Sequence, residues 1–253
     1  MASAPIIELK GVEKSFGPVS VLKSVDFRAY PGKVTALVGD NGAGKSTLIK
    51  GLAGVQPYDG GTVLFDGEPV HLYSPREAAR HGIEVVYQDL ALCDNLDIVQ
   101  NMFLGREVLG HGTMDEGSME KAASDALRSL SVRTMASVRL KVASLSGGQR
   151  QTVAIARTVL KKARVVILDE PTAALGVAQT KQVLGLVKRL AEQGVAVVII
   201  SHNLQDVFEV ADYIAVLYLG QMVAELPAAE TTYDDVVGYI TGSKAYAETD
   251  TPV

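Results

Sequence analysis

The 253-residue sequence predicts an α/β fold: a mixed, mainly parallel sheet with an antiparallel β subdomain at the N-terminus and an α-helical subdomain inserted in the middle. Three observations carry this. Two apolar runs, "RVVILDE" and "VAVVIISH", are continuous rather than alternating, as expected of strands covered on both faces. Between them lies a helical segment, "GVAQTKQVLGLVKRLAEQG", closed by Gly194 after Lys188 and Arg189, which gives strand–helix–strand order. From about Leu92 to Leu160 strand signals fade, and "SMEKAASDALRSL" and "GQRQTVAIARTVLKK" read as helices.

The remaining elements follow in order. Short β-like runs, "IIELK" and "VDFRAY", broken by Gly11, Gly17 and Gly32, predict the small antiparallel sheet. "KVTALVGD" is an apolar strand that ends in glycines and enters the helix "KSTLIKGLAG". "SPREAARHG" predicts a short helix with Ser74 as N-cap and Pro75 at its first position. Residues 1–242 are expected to form one domain, with the helical subdomain over about 92–160 and a polar, frayed tail over 243–253.

The composition narrows the function classes. Hydrophobic residues make up 47%, enough for a packed core, so disorder is not expected. A net charge of 24 − 29 = −5 argues against a sequence-independent nucleic-acid binder. Cys93 is the single cysteine, which excludes an intrachain disulfide and fits a reducing compartment. "VAVVII" falls well short of the about 20 apolar residues a membrane span needs, and "MASAPIIELK" lacks the cationic start of a secretory signal. A soluble cytoplasmic protein is the expectation.

"GDNGAGKST", Gly39 to Thr47, fits the phosphate-loop pattern of Gly, four residues, Gly-Lys and Ser/Thr. Gly39, Asp40, Asn41, Gly42, Ala43 and Gly44 would wrap backbone N–H groups around phosphate oxygens. Lys45 would reach the β- and γ-phosphates, the Ser46 hydroxyl would bind Mg²⁺, and Thr47 completes the nucleotide-binding set. "VVILDE" delivers Asp169 to a strand end, where it can hold the metal through water, and places Glu170 to polarise an attacking water. A third feature, "LSGGQ", sets Ser146, Gly147 and Gly148 at a helix start, where unpaired N–H groups and the helix dipole attract anions. That second anion site lies about a hundred residues beyond the first, with no cradle nearby.

"GDNGAGKST", "LSGGQRQ", "VVILDEPT" and "IISHN", in this order and spacing, resemble the ATPase subunit of an ATP-binding cassette (ABC) transporter, and the likeness runs from about Ile6 to Gly242. The resemblance implies two cassettes paired head to tail around two MgATP. Ser146, Gly147, Gly148 and Gln149 of one copy would then close over the nucleotide held by the other. It further implies that Gln88, in "VVYQD", contacts the Mg²⁺ or the attacking water. His202, in "IISHN", would hydrogen-bond the γ-phosphate, and Phe16 would stack on adenine. One position departs from the pattern: Gly176 follows "DEPTAAL" where the family usually has aspartate, which bears on coupling between the two sites.

"GDNGAGKSTLIKGLAG" and "VYQDLALCDNLDIVQNMFLGRE" are similar to bacterial importers of ribose-, xylose- or fructose-like monosaccharides. The resemblance implies a homodimer, or a pair with a second ATPase subunit, held by a permease at the cytoplasmic face of the plasma membrane. Residues 89–106 would dock on the permease, and a sugar-binding protein would be an indirect partner. Two other readings compete with this one: a nucleotide-binding regulator with little hydrolysis, to which Gly176 points, and a non-transport ATPase of the same family. Intact Glu170 and His202 argue against the first, and a single cassette without a coiled-coil insert argues against the second.

Overall fold

The computed structural model describes residues 4–110, 112–131 and 137–244. β1 (Ile7–Phe16) and β2 (Val19–Ala29) form an antiparallel hairpin whose tight turn holds Gly17 in the left-handed region at φ 57°. β3 (Val34–Val38) runs through the phosphate loop into α1 (Lys45–Leu52). β4 (Gly60–Phe65) and β5 (Glu68–Val70) then complete a four-stranded antiparallel sheet of order β2-β1-β4-β5. α2 (Pro75–Arg80), capped by Ser74 as expected, leads into β6 (Ile83–Val86).

The middle of the chain is helical apart from one small hairpin. α3 (Ile98–Phe103) is followed by the two-residue strands β7 (Leu109–Gly110) and β8 (Thr113–Met114). α4 (Glu116–Ser129) and α5 (Gly147–Leu160) then pack on each other and on α3. The chain returns through β9 (Val165–Asp169), α6 (Val177–Glu192), β10 (Ala196–Ile200) and α7 (Leu204–Val210). β11 (Tyr213–Tyr218), β12 (Gln221–Pro227) and α8 (Tyr233–Ile240) finish the fold. Of the polar tail, only residues 243–244 lie among those described, and the fraying expected beyond them falls outside.

The central sheet has six strands in the order β12-β11-β3-β10-β9-β6, all parallel except β12. Its two faces are both covered, which is why its strands are apolar without alternation. Val197 and Ile199 of β10 point into one core with α3 to α8, whereas Val198 and Ile200 point into a second core with α1, α2 and the antiparallel sheet. Among the described residues no helix is long and apolar enough to cross a membrane.

The two sheets meet along β2 and β12, where a charged group is drawn inside. Arg28 bridges Glu8 at 3.1 Å and Glu225 at 3.4 Å, and its backbone N–H donates to Glu225 Oε1 at 3.1 Å. Burial pushes the Glu225 carboxyl up to about 7 despite Arg28. A carboxyl with its folded value raised favours folding when protonated, so its contribution is full below the unfolded value and is lost as pH rises through about 7. Glu225→Gln is therefore expected to gain roughly 1–2 kcal/mol over the wild type at pH 8 and little at pH 5. Urea unfolding at both pH values checks this, and an equal difference at both would refute it.

Candidate active site

Four neighbouring parallel strands bring the predicted groups to one edge. In sheet order, β3 delivers the phosphate loop, β10 delivers His202, β9 delivers Asp169 and Glu170, and β6 delivers Gln88 two residues past its end. Side chains within β3, β10 and β9 are apolar and packed apart from Thr35 and the terminal Asp169, so their charge gathers where the strands stop; β6 also carries Glu84, paired with Lys161 at 2.5 Å. Ligands of open α/β sheets bind at this carboxyl edge for the same reason.

The phosphate loop demands glycine for two physical reasons. Gly39 has φ 150°, and a Cβ there would lie 2.2 Å from the Leu217 carbonyl oxygen at the end of β11. Gly44 has φ 109° and would press a Cβ to 2.9 Å from Leu22. The loop is braced further by the Gly220 N–H, which donates to the Ala43 carbonyl at 3.0 Å, and by Asp40, whose Oδ1 accepts from the Asn41 N–H at 2.7 Å. α1 starts at Gly44 with no side-chain cap and no acidic residue in its first turn. Its N–H groups and positive dipole end are thus left for an anion.

Lys45 is only 7% exposed and its Nζ donates to the carbonyls of Gly39 at 2.7 Å and Asp40 at 2.9 Å. Burial holds its pKa below the ordinary lysine value, opposed by the charges of Glu170, Asp40 and Asp169. Asp169 is half-buried; burial and the neighbouring Glu170 raise its pKa, while Lys45 pulls it down. A buried cation and strand-end carboxylates, each short of solvation, fit a phosphate chain accompanied by a divalent cation. Ser46 and Asp169 carry hard oxygen donors of the kind that could hold such a cation.

Glu170 stands in the left-handed region at φ 48°, held there by its N–H donating to the Ile200 carbonyl at 3.0 Å. Its Oε1 lies 2.5 Å from His202 Nε2. Thr172 and Asp206, which the sequence pattern did not single out, back this pair: Thr172 Oγ1 donates to the buried Asp206 Oδ2 at 2.7 Å, tying the turn after Glu170 to α7 after His202. Gln88 is exposed, and the adjacent Tyr87 has its pKa raised by burial and by the charge of Asp169. Phe16 lies at the end of β1, 44% exposed, with Lys14 Nζ 5.7 Å from its ring centre.

The signature segment lies apart, at the start of α5. Ser146 is the N-cap, accepting from the Gln149 N–H at 3.4 Å, while Gln149 Oε1 accepts from the Ser146 N–H at 2.9 Å. Gly147 and Gly148 fill the first two helical positions, whose N–H groups have no intrahelical partner. Both glycines also permit close packing: added Cβ atoms would meet Leu175 at 3.1 Å and Gln179 at 3.0 Å respectively.

A phosphate loop with carboxylates on the next strand but one defines a phosphate-loop nucleotide hydrolase. Residues 22–173 match the ABC transporter family, and the chain belongs to it. It is an ATPase cassette. The chain is 44% identical to the fructose import ATP-binding protein FrcA of Rhizobium meliloti, covering 96% of each. It is 43% identical to the ribose import ATP-binding protein RbsA 1 of Rubrobacter xylanophilus, covering 94% of this chain and 47% of that longer protein. The dimeric, post-hydrolysis structure of the ATP-binding cassette MJ0796, bound to ADP and Pi, matches with a TM-score of 0.73 at 26% identity, covering 88% of this chain and 98% of that one.

Gly176 is the N-cap of α6, at φ −73° and ψ 161°, and a Cβ there would meet nothing within 4 Å. Aspartate is therefore sterically admissible at this position. Gly176→Asp is expected to add about 0.5–1 kcal/mol of stability through helix capping and a less flexible unfolded chain. Denaturant titration checks the sign, and a loss of stability would contradict it.

Proposed function

We propose that this chain is the ATP-hydrolysing subunit of a monosaccharide importer, acting as one of two cassettes paired head to tail, with a homodimer as the simplest pairing. The observation that carries it is the set of Lys45, Asp169, Glu170 and His202 on three adjacent strand ends, in a chain 44% identical throughout to a fructose import protein. The names of the sugar-import relatives support the substrate class, and the dimeric relative supports the pairing.

In this reading Phe16 stacks on adenine, residues 39–47 wrap the phosphates, and Lys45 exchanges its backbone carbonyls for phosphate oxygens. Ser46, and Asp169 through water, would hold Mg²⁺, with Gln88 at the metal or the attacking water; when bound, the ion would supply charge neutralisation for the phosphates. His202 donates to the γ-phosphate instead of to Glu170, which frees a Glu170 oxygen to accept the proton of the attacking water. That water's oxygen bonds to the γ-phosphorus as the bond to the ADP oxygen breaks. Ser146, Gly147, Gly148 and Gln149 close over the nucleotide of the partner copy. Residues 1–242 act as one domain, with 92–160 as its helical subdomain. Residues 89–106 form the seat for a permease's cytoplasmic helices, which places the subunit at the inner face of the plasma membrane. A sugar-binding protein then selects the cargo.

Glu170→Gln keeps the shape of the site and removes the proton acceptor. Phosphate release should fall about a hundredfold or more while MgATP binding persists. Size-exclusion chromatography should show a dimer trapped by MgATP. Turnover at the wild-type rate would exclude Glu170 as the base.

A further inference from the structure

The loop 89–97, which precedes α3, is knitted together by Asn101. This residue is 1% exposed, and its amide accepts from the Cys93 N–H at 2.7 Å and donates to the carbonyls of Cys93 at 3.0 Å and Asp97 at 2.9 Å. The lead-in to the signature helix is stitched to the same loop. Val142 N–H donates to the Leu96 carbonyl and Ala143 N–H to the Asp94 carbonyl, each at 3.0 Å.

Arg150, one residue past the signature, spans this junction. Its Nη1 donates to Asp94 Oδ1 at 2.8 Å, its Nε to the Leu145 carbonyl at 3.3 Å and its Nη2 to the Ala143 carbonyl at 3.4 Å. One planar guanidinium therefore grips the loop and two carbonyls of the segment leading into Ser146, a fixed fork that a lysine could not reproduce. The Asp94 side chain is 61% exposed, so the ion pair contributes little to stability in that setting. Its geometry, rather than its strength, is what the fold retains.

We propose that Arg150 is a positioning residue for ATP hydrolysis: it sets the orientation of Ser146–Gln149 against the loop 89–97, so that a displacement of the loop at Asp94 is delivered to the signature turn. This rests on the reading that residues 146–149 engage the partner copy's nucleotide. The guanidinium acts through backbone carbonyls and touches no reacting atom.

The full chain is tested as wild type, Asp94→Ala, Asp94→Glu, Arg150→Gln and Arg150→Lys, with Ser146→Arg as a control on the signature reading. Three quantities are measured: steady-state ATP turnover, equilibrium binding of a fluorescent ATP analogue to dilute protein, and hydrogen exchange of the amides of 145–149. Asp94→Ala and Arg150→Gln should lower kcat about three- to tenfold and speed exchange at 145–149, with analogue affinity held within about twofold. Arg150→Lys should fall between them and wild type, and Asp94→Glu should restore turnover. Wild-type turnover and exchange in Asp94→Ala and Arg150→Gln would overturn the proposal, as would parallel losses of affinity and turnover with global loosening. If Ser146→Arg hydrolyses at the wild-type rate, the signature reading fails and takes this proposal with it. If Ser146→Arg is inactive while the Asp94 and Arg150 variants are normal, only the positioning role fails.

Discussion

In the middle of the sheet, where both faces are covered, β3, β10 and β9 carry charge only at their ends. Their interiors are apolar apart from Thr35, whose buried hydroxyl has no partner. Everything chemical in the molecule is displaced to the carboxyl edge, where Lys45, Asp169, Glu170 and His202 collect because their strands are neighbours. The antiparallel sheet and the helices supply the two covers. The site is thus a consequence of the covering, and its precision derives from the rigidity of strands packed on both sides.

The edge also holds backbone in costly conformations. Glu170 has positive φ without being glycine, and Gly39 approaches the Leu217 carbonyl as closely as its lack of a Cβ allows. β10 holds Glu170 through the Ile200 carbonyl, and the Leu217 carbonyl of β11 leaves Gly39 no room for a side chain. Resting contacts occupy the polar groups meanwhile, with Lys45 on carbonyls and His202 on Glu170. These partners are exchangeable, since each is a polar contact that a phosphate oxygen or water can replace.

Much of this was legible in the sequence. Continuous Val/Ile runs announced β9 and β10, Ser74-Pro75 announced α2, and the phosphate loop announced the turn from β3 to α1. The β11–β12 hairpin was not assigned, although "YIAVLYLGQMVAELP" carries two apolar runs around Gly220, because its first strand is buried like a core strand and its second is half-exposed. β1 and β2 run longer than the apolar stretches suggested, since their polar ends pair beyond the core. Thr172, Asp206, Asp94 and Arg150 escaped notice for a different reason. Each works through a partner distant in sequence, and no local spacing encodes a bond between residues 94 and 150 or 172 and 206.

The glycine pair at the start of α5 has one more consequence. Leu175 and Gln179 sit close against Gly147 and Gly148, and Gly176 between them brings no carboxylate. Among the described residues no ion pair joins the two helix starts; the carbon atoms of Leu175 and Gln179 pack against the two glycines, and Gln179 Oε1 accepts from the Gly176 N–H at 3.4 Å. The tightness of this junction should be nearly indifferent to ionic strength and weaken instead on cooling, as apolar contacts do.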